Sequence, residues 1–301
     1  MLKNITRKGV AVLTSIFNAC ISNCYFPKTW KHAEIIVIHK PGKPNNSPAS
    51  YRPISLLCTI SKVFEKVLQK RLLHYMNSSN IIPPHQFGFR QNHSTTLQIS
   101  RLSEAIVRGF ERKEHSAAAF LDISQAFDKV WHDGLLFKLQ NAGFPLYLRK
   151  IIESFVSYRT FCVKINNSFS TARTIKAGVP QGSVLGPLLF NIFLSDIPIP
   201  NQTILALYAD DTAVITQSSN LEDAVTSLQT VIDMLVHWFN KWRFTLNPTK
   251  CETKIFSLKK YEIPHEIVIQ DTVVHWKVHS AVKYLGVFLD KKLGTSMSIQ
   301  N

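Results

Sequence analysis

Apolar positions along the chain change period several times, and each change marks an element. Leu13, Ile16, Phe17, Cys20 and Cys24 recur at helical spacing, which predicts an amphipathic helix over residues 10–21. Residues 33–39 (AEIIVIH) read as a buried strand, and 40–50 is a basic loop rich in Pro and Asn. Ser61 is a good N-cap for a helix that puts Phe64, Val67, Leu68, Leu72 and Tyr75 on one face. A second helix fits 97–110, and 117–123 (AAAFLDI) is a short strand of small apolar residues ending in an acid. Helical signals return over 131–149, and 161–165 with 171–177 read as a hairpin around Asn166 and Asn167. Residues 178–191 (GVPQGSVLGPLLFN) open as a glycine-rich turn and pass into an apolar helix. The runs 203–208 and 212–216 are strands around a tight acidic turn, followed by a long amphipathic helix over 221–242 and a closing strand over 284–290. No βαβ rhythm emerges, so the pattern predicts an α+β fold, an antiparallel sheet with helices on one face.

Charge adds a partner class. Thirty-five Lys and Arg against twenty Asp and Glu give +15, and +11 of this lies in residues 1–100. Such a field favours a polyanion, nucleic acid above all. Five scattered cysteines without a Cys-x-x-Cys pair read as reduced thiols of an intracellular protein. Lys3, Arg7 and Lys8 precede an apolar stretch in the manner of a signal peptide, but Asn18 interrupts it and no cleavage site follows. No run approaches the roughly 18 apolar residues of a membrane span, and no membrane partner is expected.

Candidate chemistry begins with Tyr208-Ala209-Asp210-Asp211. Two adjacent carboxylates inside a hydrophobic hairpin are costly unless paired or bound to metal, although Asp is also common in plain surface turns. Asp122, at the end of a second strand, supplies the third carboxylate that a two-Mg²⁺ site for phosphoryl transfer requires. Asp128 is the other candidate third ligand; six residues on, it lies beyond the strand and is expected to cap or to form an ion pair.

AAAFLDISQAFDKVWH, AGVPQGSVLGPLLFNIF and LYADD, in this order and spacing, resemble the polymerase motifs of reverse transcriptases. They are most similar to those of non-LTR (LINE-type) retrotransposons, in particular the jockey group of insects. PKTWKHAEIIVIHKPGKPNNSPASYRPISLL and HQFGFRQNHSTTLQI resemble fingers blocks, and LNPTKCETKIF and VKYLGVFLD the motifs after YADD, so the resemblance covers about 25–290. It implies a right-hand polymerase fold, an antiparallel palm sheet with the YADD hairpin plus a fingers lobe. It divides the chain into fingers (1–97), palm (98–129), fingers (130–177), palm (178–275), and a primer-grip hairpin leading into a truncated or missing thumb (276–301).

Residue by residue, Asp122, Asp210 and Asp211 match the catalytic aspartates, with the Ile123 carbonyl as a further metal ligand and two Mg²⁺ ions, or Mn²⁺ in their place, as cofactor. Phe127 matches the aromatic that rejects ribonucleotides by filling the 2′-OH space. Gln181 and Gly182 match the turn beneath the incoming nucleotide, Lys40 and Arg52 the residues gripping its triphosphate, and Arg90 a nucleotide or template support. Lys250 matches a lysine proposed to protonate departing pyrophosphate, and Tyr208, Tyr284 and Gly286 match primer contacts. The implied partners are an RNA template, a DNA primer and dNTP, within a nuclear and cytoplasmic ribonucleoprotein of the element's own RNA. An RNA-dependent RNA polymerase, a two-metal nuclease and a catalytically inactive RNA-binding polymerase fold are the rivals; Phe127 and VPQG, the fingers blocks, and the intact aspartates respectively speak against them. Eleven residues follow Asp290, too few for a helical thumb, so the chain is expected to be poorly processive, with Trp238, Phe239 and Trp242 as a bare apolar surface.

Overall fold

The first helical stripe is realised as α1 (Arg7–Ser22), whose N-terminus is capped by the Thr6 hydroxyl accepting the Gly9 amide at 3.2 Å. It buries Phe17 and Cys20 and leaves Ile16 exposed. The chain was traced in a computed structural model that describes residues 5–42 and 44–293. β1 (His32–His39) and β2 (Tyr51–Leu56) pair antiparallel across the basic loop. Of β1 only Ala33 is buried, since the next sheet neighbour reaches no further than Ile35 and leaves Val37 and Ile38 in solvent. α2 (Thr59–Ser78) starts three residues earlier than a Ser61 cap would set it, and the Ser61 hydroxyl instead donates to Glu65 Oε1 at 2.9 Å inside the helix. α3 (Thr95–Glu111) is capped by Ser94, and β3 (His115–Asp122) is buried at every position except its last.

The pattern over 131–149 resolves into two helices, α4 (His132–Asn141) and α5 (Leu146–Val156). The break is a Schellman cap: Gly143 (φ 73) donates to Gln140 and Phe144 to Leu139, and Pro145 follows. β4 (Thr160–Ile165) turns at Asn166 into β5 (Ser168–Phe169), and β6 (Arg173–Thr174) returns to the start of β4, so the expected hairpin carries one extra short strand. β4 lies parallel to β1, making this sheet mixed. Then come α6 (Gly186–Phe193), β7 (Thr203–Tyr208), β8 (Asp211–Ser218), α7 (Leu221–Lys241) and β9 (Glu252–Phe256). Two small hairpins follow: β10 (Ile267–Ile269) with β11 (Thr272–Val274), and β12 (Val282–Tyr284) with β13 (Val287–Leu289). The expected single strand over 284–290 is broken by a turn at Leu285 and Gly286, both at positive φ.

Contacts divide the chain into two units, residues up to Ile81 with Phe127–Phe193, and Ile82–Ala126 with residues from Leu194 onward. The divisions differ from 97, 129 and 177 for two reasons. Residues 85–87 pair with β7 of the second unit, and the 178–182 turn bonds Ser55 and Val130 of the first. Residues 294–301, where a truncated thumb is expected to begin, lie outside the described residues. No described helix is long and apolar enough to cross a membrane.

The second unit is built on an antiparallel sheet in the order β7-β8-β3-β9. On one face Ala118 and Phe120, opposite Ile215 and Ala213, pack against Ile99, Leu102 and Ile106 of α3 and against Tyr284. Alternate residues Ala117, Ala119 and Val214 turn to the other face, where α7 packs on β3 and β8 and the Thr216 hydroxyl donates to the Ala224 carbonyl at 2.6 Å. Helices thus cover both faces, not one, because the alanine-rich central strand is buried on both sides and needs two covers. Trp238, Phe239 and Trp242 are buried, a correction to the bare surface expected of them.

In the first unit the short helix α6 carries a buried opposite charge at each end. At its N-terminus fully buried Glu65 accepts the Val184 and Leu185 amides at 2.7 and 3.2 Å. At its C-terminus Lys138 Nζ, also buried, donates to the Phe193 carbonyl at 2.5 Å. Both signs match the helix dipole. Burial pushes the Glu65 carboxyl up, opposed by the amides, the Ser61 hydroxyl and the Arg159 charge. Glu65→Ala should lower unfolding free energy in urea by about 2–4 kcal/mol by orphaning two amides. Glu65→Gln, which keeps an acceptor, should lose less than half as much; equal losses would show that packing, not capping, is Glu65's contribution.

Candidate active site

Tyr208 pairs with Asp211 across a two-residue turn, Ala209-Asp210, and Asp211 in turn lies directly opposite Asp122 in the β3–β8 register. Alternation along a buried sheet fixes that register, because a one-residue slip would turn Phe120 and Ala118 away from α3. Two strand-end carboxylates therefore face each other, with a third in the adjoining turn. Ala209 holds the turn at φ 57 and is nearly buried, while Tyr208 beside it is half-buried.

A strap over residues 245–251 closes the end of β3. Ser124 donates to the Thr245 carbonyl and Asn247 to the Asp122 carbonyl, at 2.9 and 2.8 Å. Ile123, between them, faces Leu246 as a non-hydrogen-bonded pair, so neither strap bond uses its carbonyl. The strap sets Lys250 Nζ 3.4 Å from Asp122 Oδ2 and the Cys251 sulfur 3.5 Å from the Asp122 amide. Burial pushes the Cys251 thiol up to about 11, so it stays neutral.

A second strap, which the sequence pattern did not single out, lies along β7. Gln86 forms a parallel bridge with Leu207, and its fully buried side chain accepts the Gly88 and Ala209 amides at 2.7 and 3.2 Å. Arg90, expected at the nucleotide or template, commits its Nη1 to the Pro83 and Gln86 carbonyls of its own loop at 3.2 and 3.1 Å. Tyr284 is a correction: the register of β12 turns its ring into the core, where the hydroxyl donates to the Ala206 carbonyl at 3.2 Å. Gly286 sits at the tip of the β12–β13 turn with open space around it.

The remaining candidates belong to the first unit. Arg52 lies opposite Ile38, and the Lys40 amide bonds the Ser50 carbonyl just beyond, which puts both basic residues on one face of the β1–β2 ladder by alternation. The Gln181 carbonyl accepts the Ser55 amide at 2.8 Å, and a Cβ on Gly182 (φ 113) would stand 2.7 Å from the Ser55 carbonyl, so only glycine fits. The Gln181 amide spans both Asp128 carboxylate oxygens at 3.1 Å; Asp128 thus serves this turn, and among the described residues it caps no helix and forms no ion pair. A cleft of about 340 Å³ beside the turn is lined by Ile35, Pro53, Phe161 and Asp128 among others. Phe127 stacks on Phe190 with centroids 4.5 Å apart and stays half-buried.

Burial and like charge act in the same direction at the hairpin end. Burial, then Asp210 and Asp122, push the Asp211 carboxyl up to about 6; Asp210 is raised chiefly by burial and further by Asp122. The three carboxylates do not close into a cage: among the described residues no group of three or more His, Cys, Asp or Glu is disposed to hold a metal ion. Lys250 engages Asp122 at 3.4 Å. The donor set itself, hard oxygens in excess of positive charge, fits Mg²⁺ or Mn²⁺. In chelator-treated protein Asp211→Asn should raise the melting temperature at pH 7.5 by about 2 °C, the hairpin's exposure having screened part of the repulsion. Because the folded carboxyl titrates near 6 and the unfolded one at 3.8, parental stability is lost as pH rises through that window. The gain from Asn should therefore vanish below about pH 4; a variant no more stable than the parent at pH 7.5 would show these charges are not in tension.

Residues 38–289 match the family described as "Reverse transcriptase (RNA-dependent DNA polymerase)". Over 300 residues the chain is 43% identical to a probable RNA-directed DNA polymerase from transposon BS of Drosophila melanogaster, covering 97% of this chain and 33% of that protein. It is 41% identical over 302 residues to the RNA-directed DNA polymerase from mobile element jockey of the same species, covering 98% and 32%. The chain thus spans about a third of the length of these relatives. Among solved structures, apo telomerase from Candida tropicalis matches with a TM-score of 0.61 at 11% identity, over 98% of this chain and 54% of that one, a likeness of fold. The aspartate-bearing hairpin lies within the matched stretch, and the chain belongs to the reverse transcriptase family, alongside the polymerases of jockey-type non-LTR retrotransposons.

Proposed function

We propose that this chain is an RNA-directed DNA polymerase domain that adds deoxynucleotides to a primer 3′-OH on an RNA template. The observation that carries the reading is the register placing Asp122 opposite Asp211, with Asp210 in the adjoining turn, in a chain of this family. Asp122, Asp210, Asp211 and the Ile123 carbonyl would hold two Mg²⁺, or Mn²⁺. Bound there, the ions supply Lewis acidity for the attacking hydroxyl and the leaving pyrophosphate. Lys250 neutralises Asp122 at rest and is assigned the proton for the pyrophosphate oxygen, a role its 3.4 Å contact supports by placing an ammonium at that carboxylate. Tyr208 and the Gly286 tip are assigned to the primer.

On the first unit, the shared face of Lys40 and Arg52 suits a triphosphate, Arg52 through a bidentate clasp. Gln181 and Gly182 are assigned to the nucleotide's sugar and base, with Arg90 stiffening a loop rather than clasping phosphate. Phe127, one face stacked on Phe190, is held rigidly enough to refuse a 2′-OH by contact. The first unit would serve as fingers and the second as palm. The net charge of +15 supports binding of the element's own RNA as a ribonucleoprotein in nucleus and cytoplasm.

Primer extension with dTTP and Mg²⁺ on poly(A)–oligo(dT) tests the reading. Asp122→Asn or Asp210→Asn should fall below about one-hundredth of the parental rate, a loss above ~2.7 kcal/mol in the transition state, with RNA binding kept. RNA binding without extension by the parent would favour the inactive scaffold instead. Phe127→Val should reduce the kcat/KM preference for dNTP over rNTP at least tenfold, about 1.4 kcal/mol. An unchanged preference makes Phe127 a core ring only.

A further inference from the structure

β7 is the edge strand of its sheet, and a bare edge leaves a row of amides and carbonyls without partners. Residues 85–88 close that row. The Leu207 amide donates to the His85 carbonyl at 3.0 Å, the Phe87 amide donates to the Leu207 carbonyl at 2.9 Å, and Gln98 Nε2 donates to both carbonyls at 3.2 and 2.9 Å. Strand pairing cannot continue beyond this point because the chain turns at Ala209. The next amide, that of Ala209, is taken by Gln86 Oε1, which also takes the Gly88 amide. One side-chain oxygen thus ties the strap to the turn.

Gly88 brings the two backbones into direct contact. A Cβ there would stand 2.1 Å from the Ala209 nitrogen and 2.9 Å from both the Ala209 Cα and the Tyr208 carbonyl carbon. Those atoms are main chain and cannot rotate aside. Ala209 itself occupies positive φ, a conformation that a residue with a Cβ keeps only when its surroundings impose it. The oxygen belongs to an amide rather than a carboxylate, so it supports a turn flanked by Asp210 and Asp211 without adding a further negative charge. Gln86 Nε2 is buried with no partner among the described residues, which leaves the clamp as the only polar work of this side chain.

We propose that Gln86 and Gly88 are positioning residues for the reaction: they hold the Ala209-Asp210 turn, and through it both hairpin carboxylates, in the geometry catalysis uses. This rests on the activity proposed above, and two readouts keep the two claims apart. In the 301-residue chain, Gln86→Leu should lower kcat for dTTP addition at least tenfold, change KM for dTTP less than threefold, and raise the Mg²⁺ concentration for half-maximal rate at least threefold. The Ala209 amide should exchange with solvent at least tenfold faster, over and above any change shown by the β3–β8 amides that report global unfolding. Gln86→Glu, which keeps the acceptor, should restore that protection. Gly88→Ala should repeat the kinetic pattern; if it fails to fold, Gln86→Leu decides alone. Parental kcat and Mg²⁺ dependence in Gln86→Leu would overturn the proposal, whatever the exchange result. If the parent itself does not extend primers, the activity reading fails, and exchange at Ala209 alone decides whether the clamp exists.

Discussion

Antiparallel register in the second unit sets carboxylate against carboxylate at one end of a sheet whose central strand β3 is buried along the rest of its length. Like charges opposite one another destabilise a strand pair. The strands nevertheless cannot slip, because a shift by one residue would turn the alanine face of β3 toward the wrong helix. The apolar body of the sheet therefore imposes a repulsive end on the chain. The Asp210 and Asp211 carboxyls are raised accordingly, first by burial and further by the neighbouring carboxylates.

Both straps answer this constraint from different sides. Residues 245–251 reach the end of β3 and bring a cation to Asp122, while 85–88 seal the edge of β7 behind the turn. Each uses backbone hydrogen bonds that run from loop to strand end, so the carboxylates are fixed by main chain rather than by their own side-chain contacts. Such support tolerates the charge while leaving the oxygens available.

Much of this was legible in the sequence. The AAAFLDI run, the paired strands around Asp210 and the amphipathic stripes of α3 and α7 each carry a single strong period, and the folded chain follows them. Long-range and local competition account for the departures. Ser61 reads as a cap, but Glu65 four residues on gives its hydroxyl a partner inside the helix. Tyr284 reads as a primer contact by motif, yet a hairpin turn at Leu285 and Gly286 points it into the core. Gln86 leaves no trace in any period, since its importance comes from an amide supplied by residue 209. The three carboxylates were visible as types, but not the Lys250 contact that a strap 128 residues on brings to Asp122.

The helix α6 carries a consequence for how the chain comes to be folded. Eight residues are too few to hold a helix in water, where nucleation outweighs so short a run of hydrogen bonds. Its ends are secured by Glu65 and Lys138, which lie more than a hundred and about fifty residues upstream. The helix, and the glycine turn that leads into it, thus cannot form as local structure on a growing chain. They are completed only once α2 and α4 have docked, which makes the turn a late step of assembly.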